Sequence, residues 1–209
     1  RQHIRCNPYI FIKIYSMKRI LHTLALGIAF VPVLAQNGTF VREPALHPSG
    51  NSIAFSYQGD IWLMDLESRN PRRLTIHEAY ESGPVFSPDG KQLAFTGNRF
   101  GRNDVYSIPL EGGQPKRITY HSANDVLSDW TSENEILFTT DRVFQQVEWD
   151  DEVYHVSANG GTPVRMLDAV GEMPVLSPDG RYLAFVRGAC RYTRENYIGP
   201  ADNEIWLYD

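Results

Sequence analysis

One pattern recurs three times in the chain, and it limits the possible folds more than any other feature. Pro44-Ala45-Leu46-His47-Pro48-Ser49-Gly50, Pro84-Val85-Phe86-Ser87-Pro88-Asp89-Gly90 and Pro174-Val175-Leu176-Ser177-Pro178-Asp179-Gly180 each lead within a few residues to an Ala-Phe pair. These pairs are Ala54-Phe55, Ala94-Phe95 and Ala184-Phe185. The turn prolines Pro48, Pro88 and Pro178 lie 40 and 90 residues apart. The longer gap holds a degenerate copy, Val126 to Phe138, in which Thr131-Ser132-Glu133-Asn134 replaces the Pro-Asp-Gly turn. Each unit continues into an alternating stretch: Asp60-Ile61-Trp62-Leu63-Met64-Asp65, Asp104 to Ile108, Glu152 to Val156, and Glu204 to Asp209. The first three end in Arg73-Leu74-Thr75, Arg117-Ile118-Thr119 and Arg165-Met166-Leu167. Four short β segments per unit of about 40–45 residues is the signature of a propeller blade. In the Ser-Pro-Asp-Gly turn, Pro fixes φ and Gly accepts the positive φ from which the next strand starts. No helical period competes between residues 40 and 209. The fold class predicted is therefore all-β, a propeller of four-stranded blades with about four blades present. The blades are expected at approximately 40–75, 83–119, 125–167 and 173–209.

The first 35 residues have a different character. They carry Arg1, Arg5, Lys13, Lys18 and Arg19 and no acidic residue, so the chain's formal charge of −5 conceals a body of −10. An acidic body argues against nucleic-acid binding, which needs a basic face. Met17-Lys18-Arg19, an apolar run from Ile20 to Val31, and Val33-Leu34-Ala35 together read as a secretory signal peptide over residues 17–35. The run is short for a membrane span, which takes about 20 apolar residues. Cleavage after Ala35 would leave residues 36–209 exported, to a bacterial periplasm or the medium, with no span retained. Residues 1–16 are read as sequence upstream of the true start. Such cleavage would also leave Cys190 without Cys6, the only other cysteine, so an internal disulfide is not expected.

Residues that could carry chemistry have plainer roles in a repeat. His77 and His121 each stand two positions after the repeat threonines Thr75 and Thr119, as residues that serve the blade would. His47 takes the place of the turn serine. His155 has no Cys or carboxylate at ligand spacing. Glu148, Asp150, Asp151 and Glu152 lack the alternating spacing and Gly of a calcium loop and read as a solvated loop. No serine stands in Gly-x-Ser-x-Gly. The Gly112-Gly113 and Gly160-Gly161 pairs lack the Lys-Ser/Thr of a phosphate loop. No catalytic residue, metal site or cofactor is predicted.

Loop lengths are more informative. The loop between the second and third strands grows from Gln58-Gly59 in blade one to 97–103, 141–151 and 187–203 in the later blades. In a meander these loops share a face with the blade connections, and insertions on one face often mark a binding face. Arg187, Arg191, Tyr192, Arg194 and Tyr197 are the candidate contact residues, since Arg can hold a peptide carboxylate with two bonds. The alternative is that they dock a neighbouring domain of the same chain or stabilise the loop.

The Pro-x-Phe-Ser-Pro-Asp-Gly turn, Leu-Ala-Phe, the acid before Ile-Trp-Leu or Val-Tyr, and Arg-Leu-Thr together resemble the Pro-Asp-Gly type of WD40-like repeat over roughly residues 40–209. Such repeats occur in TolB, in prolyl-oligopeptidase propellers and in tricorn-type proteases. The blade-four insertion Arg191 to Trp206, and a first blade beginning close behind the leader, resemble secreted tricorn-like serine proteases. The resemblance implies a propeller that gates or positions peptides for a catalytic region absent from this chain, which is then expected to lack its C-terminal part. The expected partners are peptides, the remaining domains of the same protein, or a second copy. As written, the chain is expected to form an open arc with an unpaired edge prone to association. Two further readings stay open. One is a non-enzymatic periplasmic interaction module of the TolB type. The other is the lid of a prolyl-oligopeptidase-like enzyme.

Overall fold

A computed structural model describes residues 40–143, 151–188 and 203–209. The chain divides into Arg1–Asn37 and Gly38–Asp209, and the account that follows concerns the second unit. The expected leader and the residues before it lie outside the described residues.

Every regular element among the described residues is a strand. Blade one contains β1 (Arg42–Leu46), β2 (Ser52–Tyr57), β3 (Asp60–Asp65) and β4 (Pro71–Arg73), hydrogen-bonded in that order. Blade two repeats this with β5 (Glu81–Phe86), β6 (Gln92–Gly97), β7 (Asp104–Pro109) and β8 (Lys116–Arg117). Blade three contains β9 (Asp125–Trp130), β10 (Glu135–Thr140), β11 (Glu152–Ser157) and β12 (Val164–Val170). Blade four contains β13 (Glu172–Leu176), β14 (Leu183–Arg187) and β15 (Glu204–Tyr208). All neighbouring strands are antiparallel. The first strands of successive blades lie side by side, β1 against β5, β5 against β9 and β9 against β13. This is the stacking of propeller blades about an axis. Strand β12 runs on to Val170, past the expected blade end at 167.

The register explains the Ala-Phe pairs. Ala45, Ala54 and Leu63 are opposed across blade one, as Val85, Ala94 and Ser107 are in blade two. Adjacent residues of a strand point to opposite faces. Ala94 thus packs in the core shared with blade three, while Phe95 packs in the core shared with blade one. The small side chain lets the next sheet approach, and the ring fills the gap behind. Fully burying each such ring contributes roughly 1.5–3 kcal/mol.

The turns hold as their chemistry requires. Ser87 Oγ donates to Asp89 Oδ1 at 2.7 Å and accepts from Gln92 N at 2.9 Å. Ser177, Asp179 and Tyr182 repeat the arrangement. The degenerate turn of blade three is one residue shorter. Thr131 plays the serine's part, accepting from Glu135 N at 3.2 Å, and Asn134 takes the left-handed position with φ 62°. At the outer edge, Thr75 Oγ1 accepts from Ile61 N at 2.9 Å and Thr119 Oγ1 accepts from Val105 N at 3.0 Å. The last residue of each Arg-x-Thr motif thereby closes the fourth strand against the third.

Candidate functional site

The second-to-third-strand loops and the blade connections emerge at the same end of the sheets. There the first strand of a blade begins, the second ends and the third begins. Three hydrogen bonds repeat along this end, each tying the start of one blade to the loop of the blade before it. Glu81 N donates to Gly59 O at 2.8 Å, Asp125 N to Asn103 O at 2.8 Å, and Gly171 N to Asp151 O at 2.7 Å.

A ladder of acid–arginine pairs lies beneath the loops. Arg99 Nε donates to Glu81 Oε1 at 2.7 Å. Arg142 grips Asp125 with two bonds, Nε to Oδ1 at 3.1 Å and Nη2 to Oδ2 at 2.6 Å. Both carboxylates are buried. Each guanidinium also lies over two rings of its own blade. Arg99 stands 5.8 Å from Phe95 and 5.3 Å from Tyr106, and Arg142 stands 5.3 Å from Phe138 and 5.4 Å from Tyr154. The residue before each arginine completes the anchor, because Asn98 Oδ1 accepts from Tyr80 N at 2.8 Å and Asp141 Oδ1 accepts from Asn124 N at 2.9 Å. A second pair joins the third strand to the fourth, Asp104 with Arg117 at 2.7 Å and Asp60 with Arg73. Burial pushes the Asp104 carboxyl above its ordinary value, opposed by hydrogen bonding and charge from Arg117. The Tyr106 hydroxyl is pushed up to about 12, first by burial and then by the Asp104 charge.

This ladder escaped the sequence reading, although a signal was present. Phe95-Thr96-Gly97-Asn98-Arg99 and Phe138-Thr139-Thr140-Asp141-Arg142 align as Phe-Thr-x-Asn/Asp-Arg. The Arg lies 17 or 18 residues from its acid, across a full hairpin.

Of the predicted contact residues, Arg187 ends β14 at the loop side, is exposed, and lies 5.1 Å over the Trp206 ring. Arg191, Tyr192, Arg194 and Tyr197 fall outside the described residues. His77 and His121 do serve the blade connections. Their Nδ1 atoms accept from Ala79 N at 2.9 Å and Ala123 N at 3.0 Å. His47 Nε2 bonds Gly90 O at 2.9 Å in the next blade's turn, and its ring meets Phe86 edge-on at 5.0 Å. His155 gains a partner that ligand spacing did not suggest, Glu135 at 3.0 Å on the neighbouring strand. Glu152 departs from the acidic-loop expectation, because it opens β11 and is buried. Among the described residues, no group of three His, Cys, Asp or Glu side chains could hold a metal ion.

Among the described residues, the loop end exposes apolar and aromatic side chains beside polar ones such as Glu78, Arg102 and Arg187. Phe100 and Tyr120 are 71% and 68% exposed, and they flank the Arg117 guanidinium at 4.6 and 4.7 Å. Ile76, Tyr80 and Val143 are exposed at the same end. The arginines of the ladder, Arg99 and Arg142, are paired with buried carboxylates.

Sheets stacked by their first strands, with loops and connections gathered at one end, define an all-β propeller. Residues 38–209 match the model of the tricorn protease N-terminal beta propeller domain, and the chain belongs to that family. A protein of Sulfurisphaera tokodaii described as a tricorn-like protease N-terminal subunit is 34% identical over 173 residues, which are 77% of this chain and 88% of that protein. The crystal structure of the tricorn protease superposes with a TM-score of 0.67 at 23% identity, over 81% of this chain and 17% of that one. TolB from Acinetobacter baumannii superposes with a TM-score of 0.63 at 22% identity, over 82% of this chain and 41% of that one. At these identities the two structures show the fold alone. The chain spans most of the archaeal relative and under a fifth of the tricorn protease chain.

Proposed function

We propose that this chain is the propeller of an exported, tricorn-like peptide-degrading system, where it gates or positions peptides for a serine peptidase region outside residues 1–209. The observation that carries this reading is the family match, which runs from residue 38 to the last residue. The loop end supports it, with exposed rings and apolar side chains above buried acid–arginine pairs. Arg187, Arg191, Tyr192, Arg194 and Tyr197 are the proposed contacts, made either to peptide or to a neighbouring domain. Export rests on the basic-then-apolar leader at residues 17–35.

The test is peptide hydrolysis by the complete system, with product lengths read by mass spectrometry. Replacing Arg187, Arg191 and Arg194 with Ala should change the product-length profile, while the isolated chain hydrolyses nothing. An unchanged profile, or cleavage by the isolated chain, would refute the reading. A second reading is a non-enzymatic interaction propeller of the TolB type, with which this chain shares the fold. That reading predicts stable capture of a protein partner with no effect on peptide turnover.

A further inference from the structure

Blade two exposes two rings that its ion pair does not require. Arg117 Nη2 reaches the buried Asp104 at 2.7 Å, and its guanidinium lies over one face each of Phe100 and Tyr120, at 4.6 and 4.7 Å. Blade one forms the equivalent pair, Arg73 with Asp60. Its two-residue loop, Gln58-Gly59, has no counterpart of Phe100, and Ile76 stands where Tyr120 does. The acid–arginine pair therefore forms without two large rings in solvent. Exposed apolar groups rimmed by polar ones mark contact surfaces.

Both rings are held in place. Phe100 sits in a turn closed by Gly101 N, which donates to Asn98 O at 3.0 Å, and Gly101 takes φ 91° there. The two residues before Phe100 are anchored in turn, Arg99 to Glu81 and Asn98 to Tyr80 N. Tyr120 donates its hydroxyl to Arg117 O at 2.9 Å, so its polar end is satisfied and its ring is fixed. With the guanidinium over one face, each ring keeps its opposite face for solvent. A ligand meeting surfaces set in this way pays little to order them.

We infer that the free faces of Phe100 and Tyr120 form a subsite for aromatic side chains of peptide segments, an inference that rests on the peptide-handling role proposed above. Aromatic pairs gain from offset or edge contact beyond the area they bury. An aliphatic side chain gains the burial alone. A cationic side chain is opposed, because the Arg117 charge stands behind both rings and exposed Arg102 lies two positions from Phe100. Preference therefore runs from aromatic through aliphatic to cationic. The subsite holds its ligand, and no bond is made or broken there.

The test is NMR titration of the full 209-residue chain, labelled with nitrogen-15. The probes are acetyl-Gly-Tyr-Gly-Tyr-Gly-amide and its Leu and Lys counterparts, whose variable side chains share one side of an extended backbone. Blocked ends keep terminal charges out of the comparison. The Tyr peptide should shift the amides of Phe100, Gly101, Tyr120 and His121, and should bind roughly threefold to tenfold more tightly than the Leu peptide. The Lys peptide should bind most weakly. F100L/Y120L keeps apolar surface but removes the ring faces, so the Tyr and Leu peptides should then bind alike, whereas F100Y should keep the preference. Both sites are exposed, and circular dichroism checks that the variants fold. The inference fails if the Tyr peptide does not saturate by about 10 mM, a concentration that fills even millimolar sites. It also fails if the Leu or Lys peptide binds as tightly, if the shifts gather elsewhere, or if F100L/Y120L keeps the preference. The product profile of the arginine variants tests the proposed function separately. A changed profile with no aromatic preference here overturns the subsite alone, and an aromatic preference with an unchanged profile overturns the function alone.

Discussion

Substituting Gly90 by Ala tests the account of the turns and of the His47 staple together. Gly90 sits at φ +68°, where a residue with a Cβ is strained by about 1–2 kcal/mol. An added Cβ would also lie 2.5 Å from His47 Nε2 and 2.7 Å from Cε1. The imidazole is held by Gly90 O, by Ser49 and by the edge of Phe86. It can swing away only by giving up a hydrogen bond worth about 0.5–1.5 kcal/mol and a ring contact of similar size. The expected total is therefore roughly 2–5 kcal/mol. Gly180 is the internal control. It has φ +72° at the same turn position, and the nearest atom to its added Cβ is Glu133 Oε1 at 4.0 Å. G180A should therefore cost only the dihedral part, about 1–2 kcal/mol. Urea denaturation followed by tryptophan fluorescence gives both values. H47A/G90A closes the cycle, and the double variant should be at least about 1 kcal/mol more stable than additivity predicts. Equal destabilisation by G90A and G180A, or an additive double variant, would refute the claim that His47 clasps the next blade's turn.

Three other perturbations address the outer strand, the ladder and the blade three–four seam. T119V removes the acceptor for the buried Val105 N–H and should cost about 1–3 kcal/mol, with faster hydrogen exchange at the Val105 amide. R142A leaves Asp125 buried and unpaired and should cost about 3–5 kcal/mol in denaturant titration, whereas D125L/R142M should recover much of the loss. Asp129 accepts from Trp130 N at 2.8 Å and from Leu176 N of blade four at 3.2 Å, and burial raises its carboxyl above the ordinary value. The folded chain then holds that proton more tightly than the unfolded one, so stability should fall as pH rises from about 4 through the raised value. D129N should flatten this part of the urea-midpoint profile. Asp89 and Asp179, lowered mainly by their turn serines, act in the opposite sense and below the ordinary carboxylate value, where stability should fall as pH falls.

The legibility of the fold in the sequence follows the range of each interaction. Turn chemistry acts over five or six residues, so Ser87-Pro88-Asp89-Gly90 and its copies announce themselves. Thr131 to Asn134 keeps the backbone bonds that close the turn and the hydroxyl acceptor with a different residue at every position, and only its blade spacing betrays it. The Ala-Phe alternation is legible because the two faces of a strand meet different neighbours. The acid–arginine ladder is not, because Glu81 and Arg99 meet across a hairpin whose loop length differs from blade to blade. Glu152 shows the same limit. A run of acids reads as solvated until the strand start that buries one of them is fixed by its partners.

The ladder also explains why loop length can vary while the blades stay regular. Arg99 and Arg142 fasten the first residues of their loops to the buried start of the blade's innermost strand, and Asn98 and Asp141 fasten the incoming connection. The third strand is held separately, by Asp104 with Arg117. Both roots of the blade-two loop are thereby fixed by interactions that do not involve its middle. Residues inserted between fixed roots add closure entropy that grows only slowly with length, about 0.6 kcal/mol per doubling. A blade of this design can therefore change the surface its loop end presents at little cost to the stacked cores. On the proposed function, contact falls to exposed groups such as Phe100 and Tyr120. Substituting these two should leave the blades intact and alter only what they touch.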